Sequence, residues 1–569
     1  MAQTAPEENR LAALEARIEA LERRLALLER GGAEGYCAPA GVRPAPVPEA
    51  AEEALPPVSD LTRTLGLTGR TLIVFGGAYL LRALTAAGYL PQAAGVLLAF
   101  LYALVWLFLA DRAGAKGAAA SASFHGGTAV LIGLPLLWET TARFHYLAPQ
   151  AAGLAVAVFV AAALGVARRR SLHGLAWIVA LATPVAALAL LATTHVAAPF
   201  GFDLVVVGIG GLWLYYGRGW RAAGWWMALM GHLGGLLVAF GALAQRKDEG
   251  EALAIGLVLS LAYLAVFVGR NLVKGDEVGI FEAAQSCLAV AFGFGGAALV
   301  AGALGAGAEA FAGILGLLLA AAGYWTAFRI IPRAARRKLL LASGLALAFT
   351  LAGSGLLLPA RPVALAWSVL AVLSGWLAVR LARVTLALHG TFYTLAAGAA
   401  SGLLLTALYA FVTPAAVAWP RLTTEALLAL LAAAVVCALP VPHPASFWKP
   451  YEGLTRVLRI AVLLWGAAGA ALYFLAPLLA GAPGKGCDAG VLATVRTAVL
   501  TGVALLLGWA SRRERFREAA WLVYPTLALG VLKLVVEDFP NGRPATLFLA
   551  LALCGSAFLF APRLARGSR

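Results

Sequence analysis

Charge is what this sequence has least of. Of its 569 residues 13% are charged, while 62% are hydrophobic. A soluble domain carries roughly 25% charged and about 45–50% apolar residues. In water this chain would expose large sticky patches; lipid as the solvent removes the difficulty. Cysteine is scarce too. Cys37, Cys287, Cys437, Cys487 and Cys554 stand singly, with no CxxC or Cys/His cluster, so no zinc or iron–sulfur site and no other cofactor is expected. HExxH, GxSxG, a P-loop and a strand–turn–helix GxGxxG are all missing. Their absence removes the commonest metalloprotease, hydrolase and nucleotide-binding classes. Residues 1–60 hold no apolar run able to serve as a signal-peptide core, so insertion through the chain's own first span is expected.

What is present is a long series of continuously apolar runs punctuated by arginines. Backbone groups in hydrocarbon must pair within their own segment, and a span takes about 20 residues. Membrane β-strands would alternate polar and apolar residues, and these runs do not. The reading is therefore an all-α, polytopic helix bundle of about eighteen transmembrane helices. The first falls near residues 70–90, turning at Gly88–Pro91, and the last near 544–561. The shortest, near 203–217, begins at Asp203. Pro184 is expected to break the span at 172–193, and Gly353-Ser354-Gly355 the span at 338–358. Gly293-Phe294-Gly295-Gly296 reads as close helix packing of small residues.

The net charge of +16 fits this frame better than nucleic acid, for which no arginine–aromatic module is visible. With the N-terminus inside, the inside turns collect Arg112, Arg168–Arg170, Arg218, Arg270, Arg329–Arg337, Arg380, Arg456, Arg459, Arg512–Arg517 and Arg563. The outside turns keep only Arg143, Arg246, Lys247, Arg361, Arg421, Lys485, Arg496 and Arg543. That bias places both termini in the cytoplasm and the chain in a bacterial-type inner membrane. A missed span would invert every later turn, so an even count is better supported than the number itself. The basic turns recur every 50–70 residues or so, about the length of a helical hairpin. Three outgoing spans end alike, in Trp325/Arg329, Trp376/Arg380 and Trp509/Arg513, which puts each pair on one helix face at the membrane boundary.

Residues 61–569 form this membrane domain. Before it, residues 1–30 read as a cytoplasmic coiled-coil helix and 31–60 as a Gly/Ala/Pro-rich flexible linker. Leu11, Leu14, Ile18, Leu21, Leu25 and Leu28 form an a/d seam. Arg10, Arg17 and Arg24 at g face Glu15, Glu22 and Glu29 at e of a parallel partner, which favours a homo-oligomer. The other reading is one amphipathic helix packed on its own membrane domain.

Three stretches carry a resemblance. They are Arg70–Ala83 with Ala87-Gly88-Tyr89-Leu90, then Leu181-Ala182-Thr183-Pro184, then Leu529–Asp538 with Arg543 and Phe548. Together with the preceding heptads they resemble a family of bacterial multi-pass membrane proteins catalogued as domain of unknown function 2339, over about residues 10–565. The resemblance implies a bacterial membrane and the same topology; the family carries no established reaction.

Ionisable groups at membrane depth are expensive, so each is weighed for function. Arg82 lies inside the first span. Lys533, Glu537 and Asp538 close the span at 517–536, with Arg543 across a Pro540-Asn541-Gly542 turn. They suit an anionic headgroup, a sugar, or a salt-bridged lock onto the last span. Glu139, Arg143 and His145 cluster at the outer end of the third span, where a Glu/His pair suits acid–base work or simply solvates a loop. Glu282 is the nearest carboxylate for ion coupling. His173, His232 and His389 stand alone and read as packing residues. The reading favoured by the coiled coil and the missing motifs is a self-associating envelope scaffold or assembly factor in the lipid bilayer. The alternatives are a transporter or flippase of a polar or lipid-linked substrate, and a membrane enzyme acting on glycans or lipids.

Overall fold

The computed structural model describes residues 87–332, 334–442 and 449–566, and a few positions just before them. The heptad seam, the linker, Arg82 and more than half of the first expected span lie outside the described residues. The described residues belong to the compact unit Thr71–Arg569. They are helical with short π turns and carry no strand. Among the described residues fifteen helices are long and apolar enough to cross a membrane, sixteen if one bent pair counts as a span. The chain is a multi-pass membrane protein with an all-α bundle.

In chain order the helices are α1 (Gln92–Ala115), α2 (Ala119–Arg143), α3 (Pro149–Arg170), α4 (His173–Thr194), α5 (Ala198–Arg218) and α6 (Arg221–Gln245). There follow α7 (Glu249–Val273), α8 (Ile280–Leu304), α9 (Ala306–Ile330), α10 (Arg336–Leu357) and α11 (Ala360–Arg380). The bent pair α12a (Val384–Ala400) and α12b (Leu403–Val412) precedes the shorter α13 (Thr424–Ala438). The series closes with α14 (Lys449–Leu479), α15 (Ala489–Ala510), α16 (Ala519–Asn541) and α17 (Pro544–Arg566).

A relay of contacts gathers the basic turns at one end of the bundle. Arg170 binds Asp111 at 2.6 Å, and Arg218 donates to the Arg168 carbonyl at 2.8 Å. Arg270 lies 4.5 Å above the Tyr216 ring, and Lys338 donates to the Asn271 carbonyl at 2.8 Å. Arg383 sits 5.7 Å over Phe328, Arg459 donates to the Ala387 carbonyl at 3.0 Å, and Arg512 to the Leu564 carbonyl at 3.4 Å. We call this the Arg-rich end. The far end is tied by Arg361–Glu425, 3.9 Å, and by Arg543–Asp488, 2.8 Å. At the Arg-rich end each Trp and the Arg four residues on meet as one face requires: Arg329 lies 5.6 Å over Trp325, Arg380 5.0 Å over Trp376 and Arg513 4.7 Å over Trp509.

Helices close on each other through missing side chains, as expected where lipid offers no hydrophobic drive between helices. A Cβ on Gly208 of α5 would come within 2.7 Å of the Gly231 backbone of α6. One on Gly293 would stand 3.1 Å from the Gly256 carbonyl, in keeping with the small-residue packing read from that run.

Several sequence expectations are corrected. Pro184 does not break α4, which runs unbroken through it, and α10 is continuous past Gly353-Ser354-Gly355. Proline in a membrane helix is tolerated because neighbours resatisfy the freed backbone. Gly353 serves packing instead: a Cβ there would stand 2.8 Å from the Gly313 carbonyl. The real break is at Ser401-Gly402, a 63° bend that needs a left-handed residue, and Gly402 supplies it at φ 79°. The sixth expected span starts five residues earlier, at Ala198, because Pro199 opens the helix. Asp203 is therefore buried within it. Arg459 and Arg496, assigned above to turns, are both buried inside helices.

Candidate functional site

The far end of α15 is built by its first residues. Asp488 caps the helix, accepting from the Gly490 and Val491 amides at 2.9 and 3.1 Å. Its carboxyl is held below the usual carboxylate range by those amides, the Val491 bond first, and by the charge of Arg543. The sign follows: the stabilisation is complete above the unfolded carboxylate pKa of about 3.9 and fades as pH falls through the depressed folded value. Asp488→Ala is thus expected to melt lower than wild type at pH 7 in detergent, with the difference shrinking below about pH 4. A difference unchanged at low pH would contradict the cap.

Arg496 lies roughly 10 Å along α15 from Ala489 and is 1% exposed. It makes an ion pair with Glu537 of α16, and it donates to the Ala410 carbonyl at 2.6 Å and the Thr413 carbonyl at 2.7 Å. The planar guanidinium fork therefore joins α15, α16 and the end of α12b. Opposite, residues 534–538 of α16 form a π turn. The wider turn brings position i+5 above position i, so Lys533 reaches Asp538 at 2.6 Å as well as Glu537 at 3.5 Å. Lys533 also donates to the Thr497 hydroxyl at 2.7 Å and to the Ala493 carbonyl. Thr497 in turn donates to Asp538, which is 2% exposed. Two cations and two carboxylates make a neutral, hydrogen-bonded ladder at membrane depth, which is how buried charge is tolerated.

Beside this ladder lies a cleft of about 1010 Å³. Its polar wall is Arg496, Lys533, Glu537 and Asn541, and its apolar walls include Phe411, Trp465, Leu500, Leu529, Leu532 and Val536. Leu532 and Val536 are 59% and 65% exposed, so the cleft opens on the lipid-facing surface. From Ala489 to Leu500 it reaches roughly 16 Å down, about half of a ~30 Å hydrocarbon core.

Of the residues singled out from sequence, Lys533, Glu537 and Asp538 come together as one group. It joins α16 to α15, not to the last helix as the lock reading had it. Arg543 stands apart, exposed, on Asp488. Glu139 pairs with Arg143 at 3.7 Å in a π turn ending α2, while His145 is exposed at φ 52°. Glu282 accepts from Tyr216 at 2.8 Å and from the Gly279 amide at 3.0 Å, closing its own helix start. Of the solitary histidines, His389 bridges the Thr385 and Ser343 carbonyls, His173 packs 5.1 Å from Trp220, and His232 meets Gln285 at 2.8 Å.

Sequence reading missed Arg496 and Asp203. Arg496 had a signal: eight residues past the Asp488 cap it lies inside any helix starting there. Asp203 is fully buried in α5 with both carboxylate oxygens unpartnered; its signal was Pro199 four residues earlier. No family model matches the chain, and no curated protein or solved structure matches it either.

Proposed function

We propose that this protein binds an amphiphile in the far-end cleft and moves it across the bilayer, as a flippase or transporter of a lipid-linked substrate. One observation carries the reading: a lipid-open cleft one leaflet deep has apolar walls and a charged, hydrogen-bonded wall beside them. Ligand sites combine apolar lining with a few placed polar groups. The chemistry of the head follows from the ladder. Its charges cancel, and the donors of Lys533 are spent on Ala493, Thr497 and Asp538. The cleft therefore attracts little net charge and offers acceptors at Glu537 and the Thr413 turn. A neutral or zwitterionic head rich in hydroxyl or amine donors suits it.

By the positive-inside rule we place the Arg-rich end in the cytoplasm, the cleft in the outer leaflet, and the chain in a bacterial inner membrane. The resemblance to the family of unknown function 2339 accords with that placement. A second reading, a self-associating scaffold, is supported by the Leu11–Leu28 seam, and the two are compatible: a tethered coiled coil raises local concentration.

The test is translocation of a headgroup-labelled glycolipid in proteoliposomes. Wild type is expected to exceed empty vesicles, and Leu532→Trp with Val536→Trp, both on the lipid-facing wall, to lose most of the rate while folding normally. Equal rates in all three preparations would exclude the transport reading.

A further inference from the structure

A second cleft lies at the Arg-rich end, among α7, α8, α9 and α10, with a volume of about 260 Å³. Its walls are apolar, with Phe267, Leu319, Leu345 and Phe349 among them. Four polar residues line it: Lys338, Ser286, Asn271 and Thr326. Lys338 donates to the Asn271 carbonyl at 2.8 Å and to the Gly275 carbonyl at 3.0 Å. An ammonium has three donors, so one N–H remains, and among the described residues no carboxylate pairs with Lys338. Ser286 is fully buried and Asn271 is 8% exposed, yet the Ser286 hydroxyl and the Asn271 Oδ1 have no hydrogen-bond partner. Buried polar atoms are satisfied in folded proteins, and an orphan pair beside a cavity points to a missing ligand. Ser286 lies roughly 9 Å into α8 from Ile280, below the level of Lys338 at the start of α10.

We propose that this cleft holds one anionic phospholipid from the leaflet at the Arg-rich end. Its phosphate sits on Lys338, its glycerol-ester region meets Ser286 and Asn271, and an acyl chain fills the space between Phe267 and Phe349. Charge complementarity selects the occupant: Lys338 belongs to a turn with Arg329, Arg336 and Arg337, and anionic lipids gather at such basic segments. The long apolar walls select a lipid over a free anion. The site is independent of the far-end cleft, which has no residue in common with it.

The experiment is native mass spectrometry of the full chain in detergent, offered equal phosphatidylglycerol and phosphatidylcholine with matched acyl chains. One phosphatidylglycerol is expected to be retained in preference. Lys338→Ala should lower that retention about tenfold, the size of one charge-assisted hydrogen bond, and Lys338→Arg should keep it. Ala342→Phe fills the cleft without touching the charge and should abolish retention, so the proposal stays testable if Lys338→Ala does not fold. Excess inorganic phosphate should leave the lipid in place. Equal retention of both lipids, retention unchanged by Ala342→Phe, or displacement by inorganic phosphate would each overturn it.

Discussion

Arg496→Ala is expected to destabilise the protein by about 3–5 kcal/mol, read as a lower unfolding midpoint in detergent. The substitution leaves Glu537 with only the longer Lys533 contact, 3.5 Å, and strands the Ala410 and Thr413 carbonyls that the guanidinium satisfies. Removing one side of a buried pair costs far more than the pair contributed. Arg496→Lys restores the charge but not the fork, and should recover only part of the loss. Arg496→Leu combined with Glu537→Leu should recover most of it, since a buried pair replaced by packed apolar groups is close to neutral. A single variant within about 0.5 kcal/mol of wild type would mean that the guanidinium is solvated and the ladder is not a joint.

Lys533→Met is the second large effect. Asp538 then keeps only Thr497 beside a nearly inaccessible carboxylate, and the expected loss is again about 3 kcal/mol. Methionine retains the length of the side chain, so packing is preserved and the loss reports charge. Adding Asp538→Leu should reverse most of it. Additive losses in the double variant would show that the two residues are not coupled. Both cycles report on the joint between α15 and α16, which forms the polar wall of the far-end cleft.

How much of this was legible in the sequence depended on where each signal lay. The alternation of the spans was readable because charge cannot stay in hydrocarbon, so Arg168–Arg170 or Arg512-Arg513 mark a turn whatever the local helix does. The Trp325/Arg329 type of pair was readable because four residues on a helix fix a shared face. Lys533 and Glu537 were readable for the same reason. Asp538 joined them through a π turn, and the adjacent Val535-Val536 gives no hint of one. Arg496 was counted with the outside turns although the span read at 489–509 already contains it, because a lone arginine near a span's start reads as part of the turn; Asp203 was read as the first residue of its span, and only the opening Pro199 moves that boundary outward. The bend at Ser401-Gly402 was hidden within a run, 384–412, that holds no Asp, Glu, Lys or Arg to mark it. The partners of Arg496 on α12b, just past its end and on α16 come from 86 and 83 residues before it and 41 after, and no local pattern announces contacts at that range.

The most direct measurement is a single-particle map of the protein in lipid nanodiscs, read at the cleft beside Leu532, Val536 and Trp465. The account predicts one elongated density along those walls, stronger than the surrounding annular lipid, with its polar end against Glu537 and Arg496. A cleft closed by α12b and α16, or filled no better than any other groove on the bundle, would contradict it.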